Sequence, residues 1–398
     1  MQNASLRVVG VLGTAQTLAW ASSYYLPAML ADPMARDLGV SAPTVYAAFS
    51  VAMVASALVG PWAGQAIDRR GGRAVLAGTS LLFALGLGML GVAQGPWMMF
   101  AAWLVIGVAM GSGLYEAAFS CLVRLYGHRA RGAITGITLI AGFASTVGWP
   151  LSAWMETQFG WRGACFGWAL MHLAIGLPLN AWLPGAPAVT TVARPEAAEA
   201  AEAQGPEHSP APEPKQQKGA TALLAFVFAA TWFISTAMAT HLPRMLESAG
   251  STLAAAVAVG ALIGPAQVAG RLLEFGFLRQ VHPLLSARLA ALAHPAGVVV
   301  LLTAGPAMAP VFAILHGAGN GILTIAKGTL PLALFGPRGY GARQGWLMMP
   351  ARVAQALAPL LFGLALDAWG SKALWLSGGI GLAACAALLL LRARPAAD

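Results

Sequence analysis

The sequence predicts an all-α membrane protein, twelve transmembrane helices in two pseudo-symmetric six-helix bundles, on three observations. Hydrophobic residues make up 58% of the 398 and charged residues only 9%, with a mean hydropathy of +0.70; a soluble domain carries about 25% charged residues. Twelve apolar runs succeed one another, near 7–31, 43–66, 74–94, 97–123, 132–155, 162–183, 220–245, 252–275, 284–303, 306–334, 345–367 and 373–391. Each is close to the ~20 residues that cross a ~30 Å hydrocarbon core, with allowance for tilt. The third observation is the stretch Gly60 to Arg73, where Asp68, Arg69, Arg70 and Arg73 put four charges within six residues while the twenty residues on either side have none. Charge so confined marks a tight turn between two spans.

The net charge of +9 is spread over short loops and not over one soluble face, which argues against a nucleic-acid partner. With the N-terminus inside, sixteen Lys and Arg fall on the cytoplasmic side, and four, Arg36, Arg162, Arg244 and Lys372, on the other. That asymmetry places both termini in the cytoplasm, and the multi-pass chain is expected in the cell inner membrane. The apolar stretch after Arg7 is long enough to be a span itself, so no cleavable leader is expected. Cys121, Cys165 and Cys385 lie inside apolar runs without paired spacing, which predicts neither a disulfide nor a thiolate metal site. There is no phosphate-cradling Gly-Lys-Ser/Thr, no His-Glu-x-x-His and no nucleophile elbow, so neither enzyme chemistry nor a cofactor is expected.

Between the sixth and seventh runs lies the one long hydrophilic stretch, rich in Ala, Pro and Glu and without apolar periodicity. It divides the chain into a bundle over 1–184, a disordered cytoplasmic linker over 185–219, and a second bundle with a short cytoplasmic tail over 220–398. The halves echo each other: Gly111-Ser-Gly-Leu in the fourth run and Gly319-Asn-Gly-Ile in the tenth are 208 apart, and Gly64 with Asp68 and Gly270 with Glu274 are 206 apart. Near-constant offsets point to parallel repeats, with a substrate site between them near the midplane of the bilayer.

Polar groups inside the spans carry the function, because they cannot face lipid. In the tenth run His316, Asn320, Thr324 and Lys327 recur at spacings of four, four and three, on one helix face; Arg271 shares a face with Gln267 and Glu274, and Arg352 with Gln355. Three cations with hydrogen-bonding neighbours suit an anionic ligand, a carboxylate above all. The competing reading is structural: Arg271 paired with Glu274 one turn on, and Lys327 snorkelling to the headgroups. In the first half Gln16, Trp20 and Tyr24 share a face of the first helix, and Glu116 is the carboxylate well inside that half, so a protonation role falls to it. Its alternative is a static salt bridge, with Arg124 or with a neighbouring helix. His241 near the end of the seventh run is a candidate substrate contact, and Pro243 a candidate helix break. Met238, His241 and Met245 have a spacing a soft metal would accept, but in a chain with fifteen Met chance explains it, and no metal is expected.

The stretch from Gly60 resembles the loop motif of the major facilitator superfamily, G-x-x-x-D-R-x-G-R, with Gly64, Asp68, Arg69 and Arg73 in matching places. The resemblance implies a twelve-helix carrier in which this loop joins helices two and three on the cytoplasmic side and its aspartate helps lock one state. The residues fit such a latch: Gly64 lets another backbone approach, and Asp68 can accept from the N-terminus of a neighbouring helix. Arg131-Gly-Ala-Ile-Thr-Gly136 and Phe159-Gly-Trp-Arg-Gly-Ala-Cys-Phe166 look like segments of the bacterial relatives of the monocarboxylate and oxalate/formate carriers. Basic residues on the eighth and eleventh helices bind carboxylate there, and the matching positions are Arg271 and Arg352. This chain departs from that pattern in having no lysine in the first helix and Gln267 where the monocarboxylate carriers have an acid.

The expectation is therefore a monomeric secondary carrier of a small organic anion in the lipid bilayer, with protons as a possible coupling ion. The alternatives are an efflux pump for an amphipathic drug, siderophore or metalloid, and a non-transporting sensor or enzyme.

Overall fold

A computed structural model describes residues 2–185 and 214–391. Within them the chain crosses twelve times, as helices only. The first crossing is Gln2–Ala21 continued by Leu26–Leu38, the second Ala42–Arg70, the third Gly72–Gly91, and the fourth Pro96–Gly113 continued by Tyr115–Tyr126. The fifth begins at Arg131–Ala141 and runs on in Ala144–Met171, where Gly160 at φ 70° breaks the helix and starts the sixth, which ends in Leu177–Ala181. The second bundle comprises Pro214–Ser248, Leu253–Gly276, Pro283–Ala304, Ala309–Phe335, Tyr340–Trp369 and Ala373–Leu390. The continuous apolar stretches Pro96–Ala181 and Tyr340–Leu390, at 86 and 51 residues, are far longer than one crossing and fold back on themselves.

The expected linker lies mostly outside the described residues, as does the tail beyond 391. Its last six residues, 214–219, are already helical, because the seventh crossing starts at Pro214. That helix also runs through Pro243 to Ser248, so the break expected there is absent. Breaks occur instead in the first bundle. Ser22–Tyr25 interrupts the first crossing, with Tyr25 N–H turned to the Trp20 carbonyl, and extended Leu114 interrupts the fourth. The fifth is interrupted at residues 142–143. A break frees backbone groups that must find partners where no water enters. The Gly113 carbonyl finds one in Gln16, whose Nε2 donates to it at 2.7 Å.

Each bundle is tied by a backbone-to-backbone approach. A Cβ on Gly107 or Gly111 would collide with the backbone of Ala52 or Ser56, and one on Gly317 or Gly321 with that of Ile263 or Gln267. The halves therefore correspond at offsets of 210 and 211, with Gly111 matched to Gly321. The expected match to Gly319 is two residues out, since a Gly-x-Gly segment does not say which glycine faces its neighbour. At the same offset Arg271 stands where the first bundle has Gly60.

The two ends of the molecule differ. At the end carrying the Gly60–Arg73 loop, here the loop face, polar contacts join one bundle to the other. At the opposite face the exposed ion pairs Asp37–Arg162 and Arg244–Asp367 each stay within one bundle. The Arg162 hydrogen bond holds the Asp37 carboxyl below its usual value of 3.8. A depressed folded value means that the pair contributes stability above 3.8 and loses it as pH falls through the folded value. Replacing Asp37 with Asn is thus expected to flatten the acid limb of the unfolding temperature below pH 3.8. An unchanged limb would mean that the pair contributes nothing in solution.

Candidate functional site

The loop face is shut by the second and eleventh crossings. Asp68 accepts from the backbone N–H of Gly341 and of Ala342, both at 2.9 Å, at the N-terminus of Tyr340–Trp369. These are donors that the helix itself leaves unpaired, and the helix dipole favours an anion there. The approach demands glycine: a Cβ at Gly64 would lie 2.0 Å from the Gly341 carbonyl oxygen, and one at Gly345 would lie 2.4 Å from Pro61 Cα, next to Gly60. Arg69 and Arg73 are exposed on the same face. A second bridge runs between the fifth and eighth crossings. Arg131 donates to Glu274 at 2.9 Å and to the carbonyls of Leu278 and Val281. The intrahelical pair of Arg271 with Glu274 is therefore not formed. Gly270 faces Ala318 of its own bundle and so does not share the cross-bundle role of Gly64.

Above this closure lies a charged and aromatic cluster between the bundles. The Leu114 break starts a new helix, so Glu116 sits in its first turn, where the helix dipole favours a carboxylate. It accepts from Arg352 at 2.9 Å, across the bundle interface, and its partner is neither Arg124 nor any group of its own bundle. Arg352 also donates to Gln355, and Gln355 donates to the Tyr24 hydroxyl at 2.9 Å, a further link between bundles. A small cavity beside the pair is lined by Ser56, Gly60, Gly111, Glu116, Met348 and Arg352.

Two cations stand beside this pair without an acid. Lys327 is buried at 4% exposure, and its Nζ has no hydrogen-bond partner; it lies 3.9 Å from the centroid of Trp232. Arg271 is buried at 5%, gives one long hydrogen bond of 3.4 Å to Gln267, and has Nε and Nη1 unpartnered. Its guanidinium rests on Gly142 of the opposite bundle, at the break in the fifth crossing. Neither side chain snorkels. Trp20 and Trp232 face each other from the two bundles with their indole N–H groups buried and unpartnered, and Tyr24 and Tyr115 pack against Trp20. A buried group of donors with so few protein acceptors is a costly arrangement unless a ligand completes it.

Other expected residues lie elsewhere. His316 turns into the second bundle, with Nδ1 3.1 Å from that of His294 on the ninth crossing, and the two line a separate, water-sized cavity with Asn320 and Thr231. Asn320 donates to Ser235. A carbonyl only accepts, so His241 donates from Nε2 to the Pro359 carbonyl at 2.7 Å, joining the seventh and eleventh crossings. Sequence reading missed Trp232, Tyr115 and Gly142, which sit in apolar or small-residue surroundings without a polar periodicity to betray them.

The fold is that of a polytopic membrane protein of two helical bundles, with a polar and aromatic cluster between them. The chain belongs to the major facilitator superfamily, whose family model matches residues 12–312. It is similar to a gentisate transporter of Corynebacterium glutamicum, 26% identical over 364 residues, 84% of this chain and 76% of that protein. A multidrug resistance protein B homolog of Mycobacterium tuberculosis is 32% identical over 143 residues, covering 35% of this chain and 25% of the relative. In fold it resembles the proton:xylose symporter XylE, with a TM-score of 0.73 at 12% identity over 96% of this chain and 94% of the other.

Proposed function

We propose that the protein moves a small organic anion with a carboxylate group across the cytoplasmic membrane by alternating access, the bundles 1–184 and 220–398 rocking about their interface. The observation that carries this reading is the charge imbalance of the buried cluster: Arg271, Lys327 and Arg352 face one carboxylate, Glu116, and Lys327 has no hydrogen-bonding partner. A substrate carboxylate supplies the missing acceptors. The coupling ion is the proton, and Glu116, the carboxylate that Arg352 holds between the bundles, is the residue assigned to the coupling. The ligand in the name of the C. glutamicum relative is itself a carboxylate. The carrier works as a monomer with both termini cytoplasmic, so the loop face is the inner one and Asp68 holds it shut.

Efflux of an amphipathic drug is the second reading, favoured by the match of about a third of the chain to a multidrug resistance protein homolog. The two separate in a thermal-shift panel on the purified protein. Carboxylates are expected to raise its unfolding temperature and lipophilic cations to leave it unmoved; stabilisation by the cations alone would remove the anion reading.

A further inference from the structure

Arg352 and Gln355 share one face of the eleventh crossing, and each is 2% exposed. The guanidinium gives one hydrogen bond to Glu116, from Nη2 at 2.9 Å, and one to Gln355 Oε1, from Nη1 at 3.1 Å. A guanidinium only donates, so the amide must turn its oxygen to Arg352 and its NH2 group away. That NH2 group reaches the first bundle, where Nε2 donates to the Tyr24 hydroxyl at 2.9 Å. Tyr24 lies in the interruption of the first crossing, and its ring is fenced by Trp20, Tyr25 and Phe49, with centroids 5.3, 5.3 and 5.7 Å away. The hydroxyl is thus a fixed post, and Gln355 carries its position to Arg352.

One hydrogen bond leaves a long side chain free to swing about its partner, and rotamer entropy favours that freedom. Bonds from both terminal nitrogens fix the plane of the guanidinium. We infer that Gln355 is the positioning residue for Arg352, with Tyr24 acting through it: the amide holds the guanidinium in the plane in which its remaining N–H donors meet the substrate carboxylate. The inference rests on the anion reading above and adds to it a residue that touches no substrate. An acid at 355 would orient the arginine equally well but would cancel the charge that the substrate needs. An amide orients the cation and leaves its charge in place.

The test is a double-mutant cycle on the full-length protein, with acetate and benzoate as probes and affinities from titration calorimetry. Gln355→Met, close in size, is expected to weaken both acids about ten-fold, and Tyr24→Phe, which keeps the ring, about three-fold. Because Tyr24 acts through Gln355, the double variant is expected to bind no worse than Gln355→Met alone. Gln355→Glu keeps the size and the acceptor, and is expected to bind at least as weakly as Gln355→Met. In proteoliposomes the losses are expected in KM, with maximal flux kept within about two-fold, whereas a merely structural amide would lower maximal flux and spare KM. Wild-type affinity in Gln355→Met, or losses that add in the double variant, overturns the inference and leaves the anion reading intact. Binding of neither acid to the unaltered protein overturns the anion reading and the inference together.

Discussion

Replacing Lys327 with Met is expected to abolish substrate flux in proteoliposomes and, at the same time, to make the protein harder to unfold. Contacts to charged groups contribute about 1.5–3 kcal/mol, so loss of the ammonium lowers affinity for a carboxylate by roughly 10- to 150-fold. The stability change has the opposite sign. An ammonium out of water and without a hydrogen-bonding partner costs several kcal/mol, and its contact with Trp232 returns about 2 kcal/mol. Methionine fills the same space without that penalty. A rise of a few degrees together with lost transport is the mark of a group kept for function at the expense of stability. Arg271→Gln is expected to lose flux as well, because its guanidinium has two unpartnered nitrogens beside Gly142. Wild-type flux in both variants would show the assignment of the site to be wrong, and a fall in stability for Lys327→Met would make that residue structural.

Gly64→Val is expected to stop transport by a different route. The glycine faces the Gly341 backbone of the other bundle, and a Cβ there would lie 2.0 Å from a carbonyl oxygen. Backbone at both partners leaves nothing to rotate out of the way, so the loop face cannot close and Asp68 loses the Gly341 and Ala342 donors. Each bundle keeps its own core, since the collision lies between them. The variant should therefore fold, and should sit with its loop face open. A cysteine introduced at Ser56, which lines the cavity between the bundles, reports this in a background free of Cys121, Cys165 and Cys385. Its reaction with a bulky polar thiol reagent is expected to accelerate by about ten-fold or more, the size of a population shift of about 1.4 kcal/mol. An unchanged rate with normal flux would mean that the loop face tolerates the side chain and that no such closure takes part in transport.

Much of the architecture is present in the linear pattern. A bilayer penalises every unpaired backbone group, so a chain of twelve apolar runs has helices as its solution, and the confined charges between the runs mark the turns. Asp68 was legible as an acceptor for a neighbouring helix terminus because glycine, acid and arginine in that order have few other uses. The buried cations Arg271, Lys327 and Arg352 stood out for the same reason: nothing charged enters a span without a cause.

Partnership was not legible. Glu274 has Arg271 one turn away in the sequence but pairs with Arg131 of the other bundle, and Glu116 pairs with Arg352 across 236 residues. Helical periodicity tells which residues share a face and does not tell what that face meets. His316 shares a face pattern with Lys327 but meets His294 inside the second bundle. Trp232 carried no signal, since an aromatic residue in an apolar run looks the same toward lipid as toward a partner ring. The sequence by itself determined the membrane, the helices, the repeat and the list of charges that must be explained. The tertiary structure alone decided which charges are matched and which are left without an acid, because Coulomb and hydrogen-bond energies depend on distances across the bundle interface, and no spacing along one helix contains them.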